Sequence, residues 1–372
     1  MDVRMRRWLV LLLAAMLLLS GCARLFETEY VNTRDYEDPE PAADSDTQEI
    51  HNYSGLMRLL NAMVANFETE KTLIFADYDG IIADDLSKAC WELRSNTALG
   101  AYCVQDIEYT TEQVVAYCEA EITVSYMRSE QEVKGLTTVQ TRSAFSDCIA
   151  DALEDQKPRI AVLMNTNALS EEDVEELAMQ TFLDHPALAV AIPTVDVTMY
   201  SGETSQRIFE INLHSPLSQE ETVQRRQALS EAVEAIVSDL NPRSADAALQ
   251  AAAAVAERCS LSGDIGCTAY DALVLGQTDS QGLAMAYHAV CDALDVRCIV
   301  VNGQLDGNVH VWNILTLDGK DYNLDLVGYS GTLWLQPNRD IWGRYWWNVD
   351  RYPSCDDQGF SWQPGQSLEI PE

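Results

Sequence analysis

The chain has 372 residues, with 59 acidic against 24 basic side chains and a formal net charge of −35. Such a balance leaves no basic footprint for a phosphate backbone and excludes nucleic-acid binding. It suits the solubilising surface of an exported protein, and the length gives room for two or three packed units.

Arg4, Arg6 and Arg7 precede an apolar stretch from Trp8 to Leu19. That stretch is too short to span a bilayer comfortably and has the layout of a signal peptide. It ends in Leu19-Ser20-Gly21-Cys22, which resembles a bacterial lipobox. The resemblance implies cleavage after residue 21, lipidation of Cys22 by an acyl chain such as palmitate, and anchoring on the extracytoplasmic face of the cell membrane. The plainer alternative is an ordinary signal peptide with a chance cysteine. Residues 22–52 are rich in Asp, Glu, Pro, Ser and Thr with little apolar periodicity, which predicts an acidic tether without a core.

A weak internal duplication follows, predicted as one unit over 53–145 and a second over 146–216. The second is the clearer. Its order is a helix from Ser146 to Glu154, a strand from Arg159 to Thr166, and a helix opened by Ser170-Glu171-Glu172-Asp173, a capping box. Two strands then alternate, one on Val195, Val197 and Met199 and the other on Phe209, Ile211 and Leu213. The first unit repeats this order: helix Gly55–Phe67, strand Thr72–Asp77, helix Asp85–Arg94, and two strands, the last alternating on Ile122, Val124 and Tyr126. Asp77-Tyr78-Asp79-Gly80 has the start of a calcium loop but lacks its later ligands, so it reads as a turn.

The remaining chain, 217–372, opens with a capping box at Ser218 to Glu221 and a helix with Leu229, Val233, Ile236 and Leu240 on one face. An alanine-rich helix from Ser244 to Cys259 follows. Thr278-Asp279-Ser280-Gln281-Gly282 then leads into an apolar run from Leu283 to Leu294 at helical spacing. Next come a strand, Arg297 to Val301, a polar turn around Asn302-Gly303, and the stretch His310-Val311-Trp312-Asn313. A turn at Asp318-Gly319 connects it to Asp321-Tyr322-Asn323-Leu324-Asp325.

A helix start, a strand with a histidine and a strand ending in an aspartate resemble the core of the transglutaminase-like superfamily, which shares a papain-like arrangement. The match is specific at His310, Trp312, Asn313 and Asp325, and it covers roughly 220–356, including Tyr345-Trp346-Trp347 and Tyr352-Pro353-Ser354-Cys355. It implies an α+β fold in which a helix packs on an antiparallel sheet, preceded here by the duplicated α-β-α-β-β unit. The family's site residues then fall on Ser280, His310 and Asp325. The family's nucleophile is a cysteine, and this chain has Ser280 in its place.

That departure matters chemically. A helix N-terminus and an imidazole can bring a thiol from about 8.5 to roughly 3.5–7.5, so the thiolate pre-exists. A hydroxyl is a far weaker acid and must give its proton to the histidine during attack. Cys291 lies eleven residues beyond Ser280, about 16 Å along a helix, and Cys267 precedes the helix, so neither is expected to replace it. Ser280 is therefore expected to act as part of a helix cap. The protein is expected to be a pseudoenzyme that binds an extracytoplasmic protein or peptide, or a part of the envelope. The alternatives are a Ser280–His310–Asp325 acyl transferase or hydrolase, and a purely structural envelope protein with a closed cleft. Trp312 and His288 read as packing residues, His288 also as a surface one. Nine cysteines remain after Cys22, with Cys259–Cys267 and Cys291–Cys298 spaced to close small rings. No CxxC pair or histidine cluster supports a metal, and no cofactor is expected.

Overall fold

The computed structural model describes residues 48–166, 168–262 and 266–371. The predicted signal peptide, Cys22 and most of the predicted tether lie outside them. Among the described residues no helix is long and apolar enough to cross a membrane.

The chain begins with β1 (Gln48–Ile50), α1 (Tyr53–Ala65), β2 (Glu70–Phe75), α2 (Ile82–Asn96), α3 (Ala98–Cys103), β3 (Val104–Val114) and β4 (Tyr117–Tyr126). Asn52 starts α1 by accepting the Gly55 N–H at 2.9 Å, and Leu56, Leu59, Leu60 and Met63 recur at helical spacing on its buried face. In β4, Ile122 and Val124 are buried while Glu121 and Ser125 are exposed. The sheet runs β1-β2-β4-β3, with β1 parallel to β2 and the other pairs antiparallel.

The second sheet has the same topology. After α4 (Glu130–Lys134) come β5 (Thr137–Val139), α5 (Arg142–Glu154), β6 (Arg159–Asn165), α6 (Glu171–Asp184), β7 (Thr194–Ser201) and β8 (Gln206–His214). Its order is β5-β6-β8-β7, again with a short parallel strand at the edge. Each unit thus carries an edge strand ahead of the predicted order. Because β5 pairs with β6, the second sheet draws on residues before the expected boundary at Ser146. Three residues are too few to show an alternation, which is why both edge strands escape a periodicity reading.

The core explains how the units hold together. Phe209, Ile211 and Leu213 on β8 share one apolar cluster with the C-terminal residues, whereas Ile208 joins the cluster of the first unit. Both faces of β8 are therefore covered. On the Ile208 face, the buried Glu210 pairs with Arg128 from the first unit.

The C-terminal part comprises α7 (Gln219–Ser238), α8 (Ala247–Arg258), β9 (Ser260–Leu261), a π-helical turn at Asp271–Leu275, β10 (Gln277–Thr278) and α9 (Ser280–Ala293). It continues with β11 (Cys298–Leu305), β12 (Asn308–Leu317), β13 (Lys320–Leu324), β14 (Leu333–Gln336), α10 (Asn338–Ile341), β15 (Tyr345–Trp346) and β16 (Phe360–Trp362). Six strands form an antiparallel sheet in the order β15-β11-β12-β13-β14-β16. Helix α9 packs on this sheet, with every residue from Gly282 to Cys291 buried. A helix buried all round needs small side chains, and Ala284, Ala286 and Ala289 supply them. The fold is α+β, a helix on an antiparallel sheet after a duplicated unit, as expected.

One turn is misplaced in the sequence reading. Asn302 and Gly303 continue β11, paired with Val311 and His310. The hairpin closes instead at Asp306-Gly307, with φ of 50° and 84°, both in the left-handed region that a two-residue turn requires. Asp318-Gly319 closes the next hairpin in the same way, with φ of 50° and 76°.

Candidate active site

Helix α9 begins where a loop crosses its first turn. Asp279 is the cap, accepting the Gly282 N–H at 3.0 Å, and Ser280 is the first helical residue rather than the cap. Gln281 Nε2 donates to the Cys267 carbonyl at 3.0 Å, and the Asp279 N–H donates to that of Gly266 at 3.3 Å. The approach is so close that a Cβ on Gly282 would lie 2.7 Å from the Thr268 carbonyl oxygen. The crossing loop is itself pinned by Asp271, whose Oδ2 accepts the N–H groups of Cys267 and Thr268 at 3.1 and 3.0 Å.

This places the half-buried Ser280 against β12. Its Oγ accepts the Val311 N–H at 3.3 Å. Alternation along β12 turns Asn313 towards the helix, where its Nδ2 donates to the Ala284 carbonyl at 3.0 Å. His310 and Trp312 lie on the other face, with ring centroids 6.3 Å apart and nearly parallel planes. Trp312 is buried and its indole N–H donates to Asn323 Oδ1 at 2.9 Å, so it packs, as expected. His288 is also buried, near the Leu183 carbonyl and Asp292.

His310 is 7% exposed and its Nε2 lies 2.7 Å from Asp325 Oδ2. A carboxylate only accepts, so Nε2 carries the proton and Nδ1 is the nitrogen left for chemistry. Asp325 Oδ1 accepts the Val327 N–H at 2.9 Å, and Oδ2 also accepts the Tyr345 hydroxyl at 2.8 Å. Burial, and then the Asp325 charge, hold the Tyr345 hydroxyl well above its ordinary range, so it stays a donor. The structure therefore brings His310 and Asp325 into direct contact and sets Ser280 on the backbone next to His310. Among the described residues, no hydrogen bond joins Ser280 to His310.

Two features of the site are invisible to pattern reading. The Val311 N–H is backbone and carries no sequence signal. Tyr345 belongs to the aromatic run at 345–347 noted above, but only the pairing of β15 with β11 shows where its hydroxyl goes.

The cysteines do not offer a substitute nucleophile. Cys267 lies beside the start of α9, but burial and the charges of Asp279 and Asp271 push its thiol up to about 11. Cys291 and Cys298 are buried at the far end of the helix, and all nine described thiols are free, so neither of the two rings that the spacing allows is closed. Among the described residues no group of His, Cys, Asp and Glu could hold a metal ion. A cavity of about 390 Å³ lies between Leu153, Leu188, Leu217 and Arg226 and touches none of Ser280, His310 and Asp325.

No family model and no curated protein matches the chain. Among solved structures it is similar to a TGase at 10% identity and a TM-score of 0.27, over 53% of this chain and 60% of that one. It is also similar to a protein from Cytophaga hutchinsonii assigned as a cysteine protease, at 10% identity and a TM-score of 0.25, over 48% of this chain and 78% of that one. The chain thus spans less than two thirds of the TGase that it matches.

Proposed function

We propose that the C-terminal part carries a transglutaminase-like site in which Ser280 stands where that family has its cysteine. In this reading the site binds a peptide or protein segment without turning it over. The protein is held at the extracytoplasmic face of a membrane by lipid on Cys22. The observation that carries the reading is the state of the Ser280 hydroxyl, which accepts the Val311 N–H and makes no hydrogen bond to His310 among the described residues. A helix N-terminus stabilises an adjacent anion by at most about 2 kcal/mol, roughly 1.5 pK units, which ionises a thiol but not a hydroxyl. Without a hydrogen bond to the imidazole, the serine stays a poor nucleophile.

A second reading, a serine-dependent acyl transferase or hydrolase, is favoured by one feature. The 2.7 Å His310–Asp325 contact is buried, and Asp325 is held by the Val327 N–H and the Tyr345 hydroxyl, as the orienting carboxylate of a working base requires. A fluorophosphonate probe separates the two. The binding reading expects no adduct on wild-type Ser280, and rapid labelling that His310→Ala abolishes would replace it with the hydrolase.

A further inference from the structure

The contact between the C-terminal edge strand and the His310–Asp325 pair has a use beyond packing. We propose that Tyr345 is the positioning residue of this site: its hydroxyl fixes the Asp325 oxygen that holds the His310 ring, and thereby sets which imidazole nitrogen carries the proton. The proposal rests on the transglutaminase-like reading of the site for its purpose, though not for its geometry.

The geometry is specific. Asp325 Oδ2 receives both His310 Nε2 at 2.7 Å and the Tyr345 hydroxyl at 2.8 Å, while Oδ1 receives only the Val327 N–H at 2.9 Å. Removing the hydroxyl leaves Oδ2 with one donor and frees a lone pair for water or for rotation of the carboxylate. Asp325 lies just past the end of β13, and three donors, His310, Tyr345 and Val327, hold its carboxylate. A carboxylate that swings takes the Nε2 proton's partner with it, and a neutral imidazole then redistributes between its two tautomers.

The chain also spends structure on delivering Tyr345. Strand β15 is two residues long and crosses over Gly303, where a Cβ would meet the Trp346 carbonyl oxygen at 2.3 Å. Just before it, Arg344 Nη2 pairs with Asp306 Oδ2 at 2.7 Å, and the Arg344 carbonyl accepts the Asp306 N–H at 2.8 Å. The Tyr345 ring packs edge-on against both Trp312 and His310, at centroid distances of 5.1 and 5.9 Å. The titratable groups in direct contact with the imidazole are thus Asp325 and Tyr345, with the Arg344–Asp306 pair beside Tyr345.

The test is Tyr345→Phe, which keeps the ring packing and removes only the hydroxyl. In full-length protein with ¹⁵N-labelled histidine, wild-type His310 is expected to show the Nε2–H tautomer alone, with an N–H proton that exchanges slowly with water. Tyr345→Phe should add a detectable Nδ1–H population and speed that exchange at least several-fold. Asp325→Asn should remove the effect, so that adding Tyr345→Phe changes nothing further. A Tyr345→Phe spectrum with wild-type tautomer and exchange would leave Tyr345 as a packing residue and overturn the proposal. The readout is independent of any reaction at Ser280. If the spectra change as expected while a thiol introduced by Ser280→Cys is inert, the transglutaminase-like reading fails and the positioning role stands.

Discussion

The Ser280 hydroxyl accepts the Val311 N–H at 3.3 Å, one residue along the strand from His310. A backbone donor there favours an anion at the same spot, and so does the helix end behind it. Ser280→Cys should therefore give a thiol that titrates below the ordinary 8.5 or so. At neutral pH it should react with iodoacetamide at least about tenfold faster than the same variant carrying His310→Ala. An introduced thiol that is sluggish and indifferent to His310→Ala would show that the helix end and the histidine do not act on one point, leaving a structural role.

Much of this site was legible because its residues carry local signals. The capping boxes at Ser170 and Ser218 form as written, with the serine hydroxyls accepting the Asp173 and Glu221 N–H groups at 3.1 and 3.2 Å. His310, Trp312 and Asp325 were legible through the resemblance to the transglutaminase-like core, and the Asp318-Gly319 turn sets their two strands side by side. Gly303 was misread as a turn because two Asx-Gly pairs lie four residues apart. Composition cannot say which of them has the positive φ. The structure gives it to Asp306-Gly307 and uses Gly303 for the passage of Trp346 instead. Tyr345 and the edge strands β1 and β5 depend on long-range pairing, which leaves no periodicity to read.

Anchoring rests on Leu19 to Cys22 at the end of an apolar run. Wild-type protein is expected to partition into detergent and to carry lipid on Cys22, whereas Cys22→Ser should leave an uncleaved or unlipidated form. Mass spectrometry of the mature N-terminus decides it. A wild-type protein recovered without lipid, from the soluble fraction, would remove the membrane anchor from the proposed function.

The acid limb of stability should depend on Asp173. Its carboxylate accepts the Ser170 hydroxyl and N–H at 2.6 and 2.9 Å, and these bonds hold it below its ordinary 3.8. A depressed carboxylate stabilises the fold fully above the unfolded value and loses that contribution as pH falls through the folded one. For this partly exposed group the contribution is roughly 0.5–1 kcal/mol after screening. Denaturant titrations should show Asp173→Asn less stable than wild type by that amount near neutrality, with the difference closing below pH 3.8. Asp184, at the other end of α6, is pushed up by burial, so its ionisation works against the fold. Asp184→Asn should then gain on wild type as pH rises, and a pH-independent difference for either variant would contradict the assignment.

The final prediction concerns Gly303, where sterics and the site meet. A Cβ there would stand 2.3 Å from the Trp346 carbonyl oxygen and 2.8 Å from the Trp312 ring. Neither neighbour yields freely, since one is backbone and the other is a buried indole held by Asn323. The weaker partner is β15, which pairs with β11 only through Tyr345 and Trp346. Gly303→Ala should therefore lift β15 off the sheet rather than unfold β11. The overpacking cost should be about 1–3 kcal/mol in denaturant unfolding. Hydrogen exchange should rise at residues 344–347 while the β11–β12 hairpin stays protected. His310 should show the same mixed tautomers as Tyr345→Phe, because the hydroxyl leaves Asp325 in both. Gly307→Ala is the control. It meets nothing within 4 Å, its cost comes from a φ of 84°, and the His310 spectrum should not change. A Gly303→Ala protein with wild-type stability and an unperturbed His310 would mean that β15 accommodates the methyl without moving Tyr345. The edge strand would then not be what holds the tyrosine on the carboxylate.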